Sequence, residues 1–585
     1  MADTIILPQW SRDILARNSA LEGAVLFTLS QFQPWIRSSG MPFFPGFTDH
    51  SDRHLNEVLA TATSLITDDA RAHLTPTDVA VLVLSVLLHD SGMHLTEDGF
   101  RDLIRPDVQH PRVIGFGDRP WAELWTEFLS EASRFDGRTL RRIFGNDHPV
   151  DTRRLDVLNL KDRDKLLIGE FVRRHHARLA HEIALWGVPR PTSERIRLEK
   201  IPEPIADLAG LVARSHNLNL RSTYDFLKQK YAIREFQGVH AVFLMAVLRI
   251  ADYLQVHSER ANKELLRVKS LVSPLSRAEW ATHHSIRDIQ SSHEDPEALF
   301  IDAAPESAAM FVKLRRLLND IQDELDKTWA ALGEVYGRYP PFDALGLTVR
   351  RVRSNLDDSG ELQKRLSYVP AQISFESAGT DLLRLLVVPL YGAEPGVGIR
   401  ELIQNAVDAS RERTDWAATH RSADISDQLY PISADVEVLI SETNDGKRFA
   451  QITDRGIGMN IDIVRNYFLK AGASFRTSEA WKREHEDDSG RSRVLRGGRF
   501  GVGALAAFLI GDEITVTTRR IDEPADRALH FSASLDAESI EIQYVRAPIG
   551  TMLSIPITSE QIWEELTEDV GSLEENDESI EVGPR

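Results

Sequence analysis

The sequence predicts a multidomain protein in which an all-α domain precedes an α/β two-layer sandwich. Apolar residues at helical spacing dominate roughly the first 260 residues, and strand-like alternation becomes frequent only after Pro340. The length agrees, because 585 residues exceed a single core. At about 100 to 200 residues per domain, three or so compact units are expected.

We divide the chain into four predicted segments. Residues 1–265 form the helical domain, and residues 266–365 form a helical connector. The connector contains an amphipathic stretch at 307–336, which is either a core-facing helix or a dimer-forming coiled coil. Residues 366–558 form the sandwich, and residues 559–585 form an acidic, flexible tail.

Beyond residue 340, alternating apolar and polar residues predict strands, and the apolar runs between them predict helices. The predicted strands are 347–355, 436–440, 449–452, 514–518 and 552–555, and the predicted helices are 382–390, 398–413, 461–471 and 503–509. Residues 477–499 are rich in charge, serine and glycine, which predicts a loose segment.

Charge and composition limit the classes of partner. The chain has 69 basic and 89 acidic residues, a net charge of −20, so charge does not indicate a protein that coats nucleic acid or anionic membrane. A local basic groove is compatible with this net charge. The lack of cysteine excludes disulfides, thiolate metal sites and a catalytic cysteine. Neither a leader peptide nor a membrane-spanning stretch is visible, so we expect a cytoplasmic protein without membrane contact.

The first of three motifs in the C-terminal third is polar on one side. Residues 401–409 read ELIQNAVDA, and offsets of four and seven place Glu401, Asn405 and Asp408 on one helix face. Taken alone, that face is also compatible with a solvated polar stripe.

The other two motifs are rich in glycine. Residues 454–459 read DRGIGM just after a predicted strand, where glycine lets the backbone approach a ligand and the ionised Asp454 is a pure acceptor. Residues 497–503 read GGRFGVG before an apolar helix, a pattern in which backbone N–H groups and a helix N-terminus bind phosphate. A tight turn and a flexible linker are the alternative interpretations.

In this fixed order, the three motifs resemble the GHKL ATPase superfamily of gyrase, the ninety-kilodalton heat-shock chaperone, histidine kinases and the mismatch-repair MutL proteins. The stretches IRELIQNAVDA, ITDRGIGM and GRFGVGALAAFLIGDEITVTTR are most similar to the chaperone, over residues 372–557. The resemblance implies a Bergerat-type sandwich that binds ATP with Mg²⁺.

The resemblance also implies a role for each matching position. Glu401 would be the general base that activates water, Asn405 the Mg²⁺ ligand, and Asp454 the acceptor for the adenine amino group. The other positions matched to the ATP pocket are Asp408, Gly456, Gly458, Met459, Gly501, Val502, Gly503 and Thr551. Residues 475–499 would form a mobile lid that closes over ATP.

Departures from the chaperone family narrow this expectation. About thirty residues follow the last predicted strand, so neither the middle domain with its catalytic arginine nor the dimerisation domain is expected. ATP hydrolysis should therefore be slow, and a client-folding role is not expected. A sensor histidine kinase is disfavoured, because residues 304–398 contain no histidine that could accept a phosphoryl group.

The helical segment carries histidines and aspartates at separated positions. His54 lies on a helical stretch, His89 and Asp90 end the apolar run VAVLVLSVLL, and Asp252 lies in another apolar helix. A carboxylate at the end of an apolar helix is costly to bury unless it is paired or binds a metal. Each residue alone is more simply a satisfied core or surface residue.

The order of these residues resembles the HD phosphohydrolase superfamily, through TDHSDRHLNEVL, LLHDSGMH and LRIADYL between residues 47 and 255. The resemblance implies an all-helical fold with a divalent metal (Mn, Fe, Co or Mg). The implied ligands of the first metal are His54, His89, Asp90 and Asp252. His50 competes for the first position, and His176 and His216 are candidates for a second metal.

The stretch RRHHAR offers basic side chains next to His176. Arg173, Arg174 and Arg178 either pair with a substrate phosphate or form a solvated basic face. The residues after His89–Asp90 read Ser-Gly-Met, where many active members of the superfamily have Gly-Lys, and the Gly-Tyr-Pro triplet of cyclic-dinucleotide hydrolases is missing.

Together the two resemblances predict a chaperone-like module that binds and slowly hydrolyses ATP, coupled to a metal-dependent phosphohydrolase acting on nucleotides or nucleic-acid phosphoesters. ATP binding would close the lid, pair two chains as a homodimer and gate the phosphohydrolase. Such a fusion resembles proteins proposed for bacterial defence or nucleotide signalling. The alternative is a chaperone-like, ATP-switched interaction protein with a catalytically degenerate HD platform.

Overall fold

The chain folds into two compact units. Unit 1 comprises residues 1–305 and 313–358, and unit 2 comprises residues 306–312 and 359–585. The computed structural model describes residues 5–45, 52–107, 119–190, 195–221, 223–224, 227, 238–255, 274–291, 295–340, 342–358, 366–371, 394–420, 425–443, 446–470, 475, 478–487, 491–494, 503–534 and 540–567.

The described part of the first 358 residues is mainly helical, as the sequence predicts. Its α-helices are α1 (Gln9–Leu15), α2 (Ser19–Ser38), α3 (Asp52–Leu65), α4 (Asp68–His73), α5 (Pro76–Leu88), α6 (Glu97–Leu103), α7 (Trp121–Ala132), α8 (Gly137–Phe144), α9 (Asp162–Trp186), α10 (Glu203–Ser215), α11 (Ala241–Tyr253), α12 (Pro274–Ser285) and α13 (Ala308–Val335).

Helix α5 is buried on every side. Thr75 and Asp78 form a capping box and Pro76 occupies the first turn, which fixes where the helix begins. Residues 78–88 are all buried, because the helix is apolar around its whole circumference. The pair His89 and Asp90, which follows α5, is therefore held by a rigid element.

A buried arginine fixes the chain that follows α10. Arg249 of α11 donates to the carbonyl oxygens of Ser215 and Leu218, the latter at 2.7 Å, and pairs with Glu324 of α13 at 2.5 Å. Both side chains are almost fully buried. Three backbone segments are thus tied at one point, beside the residue that ends α10.

The segment predicted as a helical connector also contains strands, so that part of the prediction was incomplete. Strand β2 (Ala298–Ala303) pairs antiparallel with β1 (Ile286–Ser291) and parallel with β3 (Arg351–Ser354). β3 lies within the predicted strand 347–355, whereas β1 and β2 were missed. β1 has only two apolar residues, and β2 begins with a continuous apolar run that does not alternate. The stripe of α13 that includes Leu314 and Ile321 is buried, as in a core-facing helix.

Unit 2 contains a six-stranded antiparallel sheet. Its strands are β4 (Val436–Glu442), β5 (Arg448–Asp454), β6 (Glu513–Arg519), β7 (Ala528–Ser534), β8 (Gln543–Val545) and β9 (Gly550–Pro556). The order across the sheet is β4-β5-β9-β6-β7-β8. The long helix α14 (Pro395–His420) packs on β4 and β5, so the two layers of a sandwich are present as predicted.

Several other predicted helices end up shorter or different in type. A short α-helix, Ile461–Ile463, continues into a π-helical turn, Val464–Phe468, and Gly503–Leu509 is a 3₁₀ helix. The predicted helix 382–390 lies outside the described residues.

The predicted lid segment contains an ordered helix, α15 (Glu479–His485). Trp481 is fully buried and its indole N–H donates to Glu412 of α14 at 3.1 Å. His485 binds Asp415 of α14 at 2.7 Å, and Arg493 binds the same carboxylate at 3.0 Å. The expectation of a loose segment therefore fails for α15, because one large aromatic residue among the polar ones is enough to anchor it.

The predicted flexible tail begins with a helix, α16 (Glu560–Thr567). Ile562, Trp563 and Leu566 pack against the core of the sheet. Arg448 binds Glu560 at 2.5 Å and lies over the Trp563 ring. Because α16 packs on the sheet, the tail is ordered at its start. The prediction missed this because acidic residues outnumber the apolar ones. Residues beyond 567 lie outside the described part of the chain.

Candidate metal centre and nucleotide pocket

The histidines and aspartates predicted in the helical unit converge on one place. His54 comes from the first turn of α3, His89 and Asp90 follow α5, and Asp252 lies near the end of α11. Their ligand atoms all lie within 4.8 Å of one another. His50 lies outside the described residues, so its competing assignment remains a prediction.

The spacing inside this first group suits ligands that share one cation. The Nε2 atoms of His54 and His89 are 3.3 Å apart. The Asp90 carboxylate lies 3.1 Å from His89 Nε2 and 3.6 Å from His54 Nε2, and Asp252 Oδ1 lies 3.7 Å from His89 Nε2. The two histidines are buried, so imidazole and carboxylate groups meet where water is largely excluded.

A second group of ligands shares Asp90 with the first. His176 of α9 and His216, the residue that ends α10, join Asp90 in a cluster whose ligand atoms also lie within 4.8 Å of one another. His176 Nε2 is 2.9 Å from His216 Nε2 and 3.7 Å from Asp90 Oδ1. The Asp90 carboxylate therefore points one oxygen at each group, as a bridging ligand would.

Backbone carbonyls fix the orientation of three of these imidazoles. The Nδ1 atoms of His89, His176 and His216 contact the carbonyl oxygens of Val86, Arg173 and Ala213 at 2.7, 2.8 and 2.5 Å. An Nδ1–H that donates to a carbonyl leaves Nε2 as the acceptor that can bind a cation. This pattern is typical of histidines in metal sites.

The electrostatics of the cluster also fit a cation. Burial alone would lower the pKa of His89, but Asp90 and Asp252 outweigh it and raise the pKa to about 9. Burial lowers the pKa of His176, and burial together with the His176 charge lowers the pKa of His216 to about 4. The carboxylates thus favour a positive charge beside them. His176 and His216 are neutral, as histidines that bind a metal must be. Nitrogen and oxygen donors of this kind fit Mn, Fe, Co or Mg.

The predicted arginines are placed differently from one another. Arg173 and Arg174 both bind Glu170, and Arg174 also binds Glu131 at 2.9 Å. Arg178 binds Glu182 at 2.8 Å. Each of these cations has a carboxylate partner inside the protein.

Arg174 and Arg178 nevertheless line a basic pocket of about 270 Å³, together with Arg119, Arg214 and His175. We call it the arginine pocket; Arg173 is not among the residues that line it. Burial and the charges of Arg178 and Arg174 lower the pKa of His175 to about 4. Arg174 and Arg178 lie two positions before and after His176, so the arginine pocket is on the opposite face of α9 from that ligand. Arg119 and Arg214 were missed by the sequence analysis, because neither stands in a recognisable motif.

In unit 2, the predicted adenine acceptor Asp454 is a buried carboxyl at the end of β5. Its Oδ1 accepts hydrogen bonds from the backbone N–H groups of Gly456 at 2.8 Å and Thr551 at 3.1 Å. Burial raises the pKa of Asp454 to about 7, although both N–H groups and Arg413 act in the opposite direction. The carboxyl group is therefore about half ionised near pH 7.

The glycines of the DRGIGM motif allow close packing of the backbone. Gly458 has φ of +71°, and a Cβ there would lie 1.9 Å from the carbonyl oxygen of Arg519. A Cβ at Gly456 would lie 2.6 Å from both Ala409 Cβ and Asp454 Oδ1. Side chains at these two positions would push β5, α14 and β6 apart.

Thr518 joins the remaining predicted residues of the base pocket. Its hydroxyl accepts from the Met459 N–H at 3.0 Å, lies 3.0 Å from the Thr551 hydroxyl and donates to the Gly550 carbonyl at 3.1 Å. Thr518 was missed, because its sequence context is an ordinary strand. The adjacency of Thr551 to Asp454 agrees with its predicted place in the pocket.

Helix α14 carries the predicted catalytic and magnesium-binding residues. Asp408 is buried, whereas Glu401 and Asn405 are partly exposed. Arg411 lies 3.4 Å from Asp408, and Arg400 lies 3.8 Å from Glu401. Gly501 and Val502 lie outside the described residues, and Gly503 begins the 3₁₀ helix.

The two units thus define a class of protein that carries a helical candidate metal centre and a two-layer nucleotide-binding domain on one chain. Residues 44–327 match the HD-CE family model. Residues 394–555 match the model described as histidine kinase-, DNA gyrase B- and HSP90-like ATPase. The chain is therefore an HD-CE domain followed by an ATPase domain of the GHKL type, in agreement with both resemblances.

Curated relatives cover about a third of this chain. Chaperone protein HtpG of Shewanella loihica is 30% identical over 187 residues, 32% of this chain and 28% of that protein. The HtpG of Cupriavidus taiwanensis is 32% identical over 184 residues, 31% of this chain and 27% of the relative. The chain thus spans less than a third of the length of these chaperones. Among the described residues, no helix combines the length and apolar character required to cross a membrane.

Proposed function

We propose that this protein couples an ATP-driven switch to a metal-dependent phosphohydrolase. The C-terminal domain binds ATP with Mg²⁺ and hydrolyses it slowly, and the N-terminal domain hydrolyses phosphoesters of nucleotides or nucleic acids. The observation that carries the hydrolase half is the shared carboxylate of Asp90, which lies within ligand distance of two separate groups of histidines.

For the ATPase half, the proposal assigns each residue a part. Asp454 accepts the adenine amino group through Oδ2, since Oδ1 is already occupied by two backbone N–H groups. Asn405 offers its side-chain oxygen to Mg²⁺, and Glu401, three-quarters buried, accepts the proton of the attacking water. The similarity to HtpG over this domain supports these assignments.

For the hydrolase half, the chain holds ligands on one side and cations on the other. Two divalent ions bound by the ligand groups would lower the pKa of a water molecule and neutralise charge on a phosphate. Arg174 and Arg178 lie on the opposite face of α9 from His176, so the arginine pocket is not assigned to the phosphate at the metal ligands. Hydrolysis adds the water oxygen to phosphorus, breaks the bond from phosphorus to the leaving oxygen, and leaves a proton on that oxygen.

A screen of substrates tests the proposal. The purified chain is incubated with mono-, di- and cyclic nucleotides and with Mn, Fe, Co or Mg, in the presence and absence of ATP. His89→Ala should abolish phosphoester hydrolysis and keep ATP turnover, whereas Glu401→Ala should do the reverse. Phosphate release from neither half under any metal, by a protein that binds ATP, would contradict the enzymatic proposal.

The proposed coupling between the halves rests on their fusion in one chain. ATP binding would close the segment that contains α15 and pair two chains, and this change would gate the hydrolase. Asn405→Ala tests it directly. If this variant no longer binds ATP but keeps ATP-independent and ATP-supplemented hydrolysis equal to wild type, gating is wrong.

One observation favours an alternative, in which the HD half is a degenerate binding platform of an ATP-switched interaction protein. The turn after Asp90 packs tightly: a Cβ at Gly92 would lie 2.6 Å from the carbonyl oxygen of His176, and Met93 is buried. Residues 91–93 read Ser-Gly-Met, so no lysine stands here, where many active members of the superfamily have Gly-Lys. Elemental analysis distinguishes the two functions, since the platform predicts no stoichiometric metal.

A further inference from the structure

A second cavity in unit 1 is lined partly by helix α3, which also carries His54, and it has a different chemistry from the arginine pocket. It measures about 360 Å³ and is lined by residues of α3, the end of α11 and the small sheet. We call it the neutral pocket. Its volume falls within the range of roughly 300 to 1,000 Å³ that small-molecule sites occupy.

The neutral pocket and the metal ligands share helix α3, and the chain just after α11 also lines the pocket. Glu57 and Thr61 line it from α3, three and seven residues after His54, and Gln255 lines it three residues after Asp252. At 1.5 Å per residue, a separation of three residues corresponds to about 4.5 Å along a helix. Since residues three, four and seven apart share a helix face, the pocket opens on the same side of α3 as His54.

The lining is polar but nearly uncharged. Gln255 is buried and donates to the Thr61 hydroxyl at 2.7 Å, and Ser64, Ser291 and Thr348 supply further hydroxyl groups. The one ionisable residue among the lining residues described is Glu57, which pairs with Arg53 at 2.8 Å. Hydroxyl and amide groups both donate and accept hydrogen bonds, whereas this lining offers no cation to a phosphate.

Apolar side chains complete the walls. Leu65, Leu254, Ile289, Leu299 and Val349 surround the polar groups. A planar, uncharged ring with hydrogen-bonding groups at its edge suits such a cavity, because its faces contact the aliphatic walls and its edge meets the hydroxyls and amide. A lipid chain would leave these polar groups unsatisfied, and a phosphate would find no positive charge.

We propose that the neutral pocket binds the nucleobase of the hydrolase substrate, which makes that substrate a nucleotide. The scissile phosphate lies at the metal ligands, and the base lies on the His54 and Asp252 side. This inference rests on the proposed hydrolase function and adds to it the class of substrate.

The test compares substrates with and without a base. The manganese-loaded full chain is assayed with the uridine, cytidine and guanosine 5′-monophosphates and with ribose 5-phosphate, which has the same phosphoester but no base. Ala60 is exposed at the rim of the neutral pocket, so Ala60→Trp should block the mouth without disturbing the core. Ala20→Trp, at an exposed helical alanine that does not line the pocket, is the matched control.

We expect Ala60→Trp to raise KM for the nucleotides at least tenfold and to leave KM for ribose 5-phosphate within twofold, while Ala20→Trp changes neither. Equal effects on both substrates, or none, would overturn the base pocket.

A binding measurement separates this inference from the proposed hydrolase. Guanosine, cytidine and uridine are titrated calorimetrically into wild type and Ala60→Trp, each with manganese. Binding that is lost in Ala60→Trp supports the pocket even if no substrate is hydrolysed, in which case only the hydrolase proposal fails. If nucleotides are hydrolysed but Ala60→Trp changes neither nucleoside binding nor KM, the hydrolase proposal is supported and the base pocket is wrong.

Discussion

Replacing Asp454 by asparagine separates two properties of one buried carboxyl group. In the folded protein Oδ1 accepts two backbone N–H groups, so a proton on this carboxyl must lie on Oδ2. Asparagine can keep Oδ1 as the acceptor and places an NH₂ group where Oδ2 was. We expect Asp454→Asn to fold normally and to lose adenine binding, because two donors would then face each other.

The size of the effect on stability follows from the raised pKa. The carboxyl has a pKa of about 7 in the folded chain, against its ordinary value of 3.8. A raised acid pKa means that the ionised form is disfavoured in the fold, so the penalty grows as the pH rises from the unfolded to the folded pKa. The full penalty is about 4 kcal/mol, of which about 1.4 kcal/mol develops between about pH 6 and pH 8.5.

Two assays read out these changes. The first assay is calorimetric unfolding of the full chain, in which the transition of unit 2 is identified by its shift with ADP. Between about pH 6 and pH 8.5, the free energy of unfolding of wild type should fall by about 1.4 kcal/mol more than that of Asp454→Asn. Adenosine has no group that titrates in this range, and wild type should bind it about tenfold more tightly at pH 8 than at pH 6, since only the ionised carboxyl accepts the amino group.

The control is Asp512→Asn, which removes an exposed carboxylate of the same unit. It should bind adenosine as wild type does and keep the wild-type pH dependence. Adenosine binding by Asp454→Asn at wild-type strength, or equal pH slopes for wild type and Asp454→Asn, would refute the assignment of Asp454.

Three further predictions concern other parts of the chain. Glu401→Gln should lower ATP turnover at least about 100-fold and change the ATP dissociation constant by less than threefold; a proportional loss of binding would argue against a general base. The double variant Arg249→Met with Glu324→Leu leaves no lone buried charge but removes the hydrogen bonds that hold the chain around His216. Binding of a second manganese ion should therefore weaken about 10- to 100-fold, while binding of the first is unchanged. Unchanged stoichiometry in a metal titration would show that Arg249 does not position His216. Trp481→Ala should destabilise the unfolding transition of unit 2 by about 3 to 5 kcal/mol, and a loss below 1 kcal/mol in the same calorimetric assay would mean that α15 is not anchored by its indole.

Local motifs made the ATPase domain readable from its sequence. The helix with Glu401 and Asp408 and the turn after Asp454 depend on residues a few positions apart, so their periodicity and glycines predict them. The central strands of the sheet could be predicted for the same reason. Strands β7 and β8 were not predicted, and the three residues of β8 are too few to display a period.

Residues whose role depends on partners far away in the sequence could not be predicted. Thr518 contacts Met459 and Gly550, which lie 59 and 32 positions away. Trp481 anchors a segment whose composition is typical of a loop, and nothing nearby indicates its partner Glu412. The metal ligands were predicted only because their types and order resemble a known family; their distances from one another depend on the packing of α3, α5, α9, α10 and α11.

Because Asp90 belongs to both ligand groups, the two candidate cation positions cannot fill independently. An ion bound beside His89 draws on the same carboxylate that an ion beside His216 requires, so the occupancy of one position alters the affinity of the other. Loading would then follow the supply of metal in the cell in a stepwise order. A single change at position 90 would silence the whole centre at once, whereas a change at His216 would leave a mononuclear form.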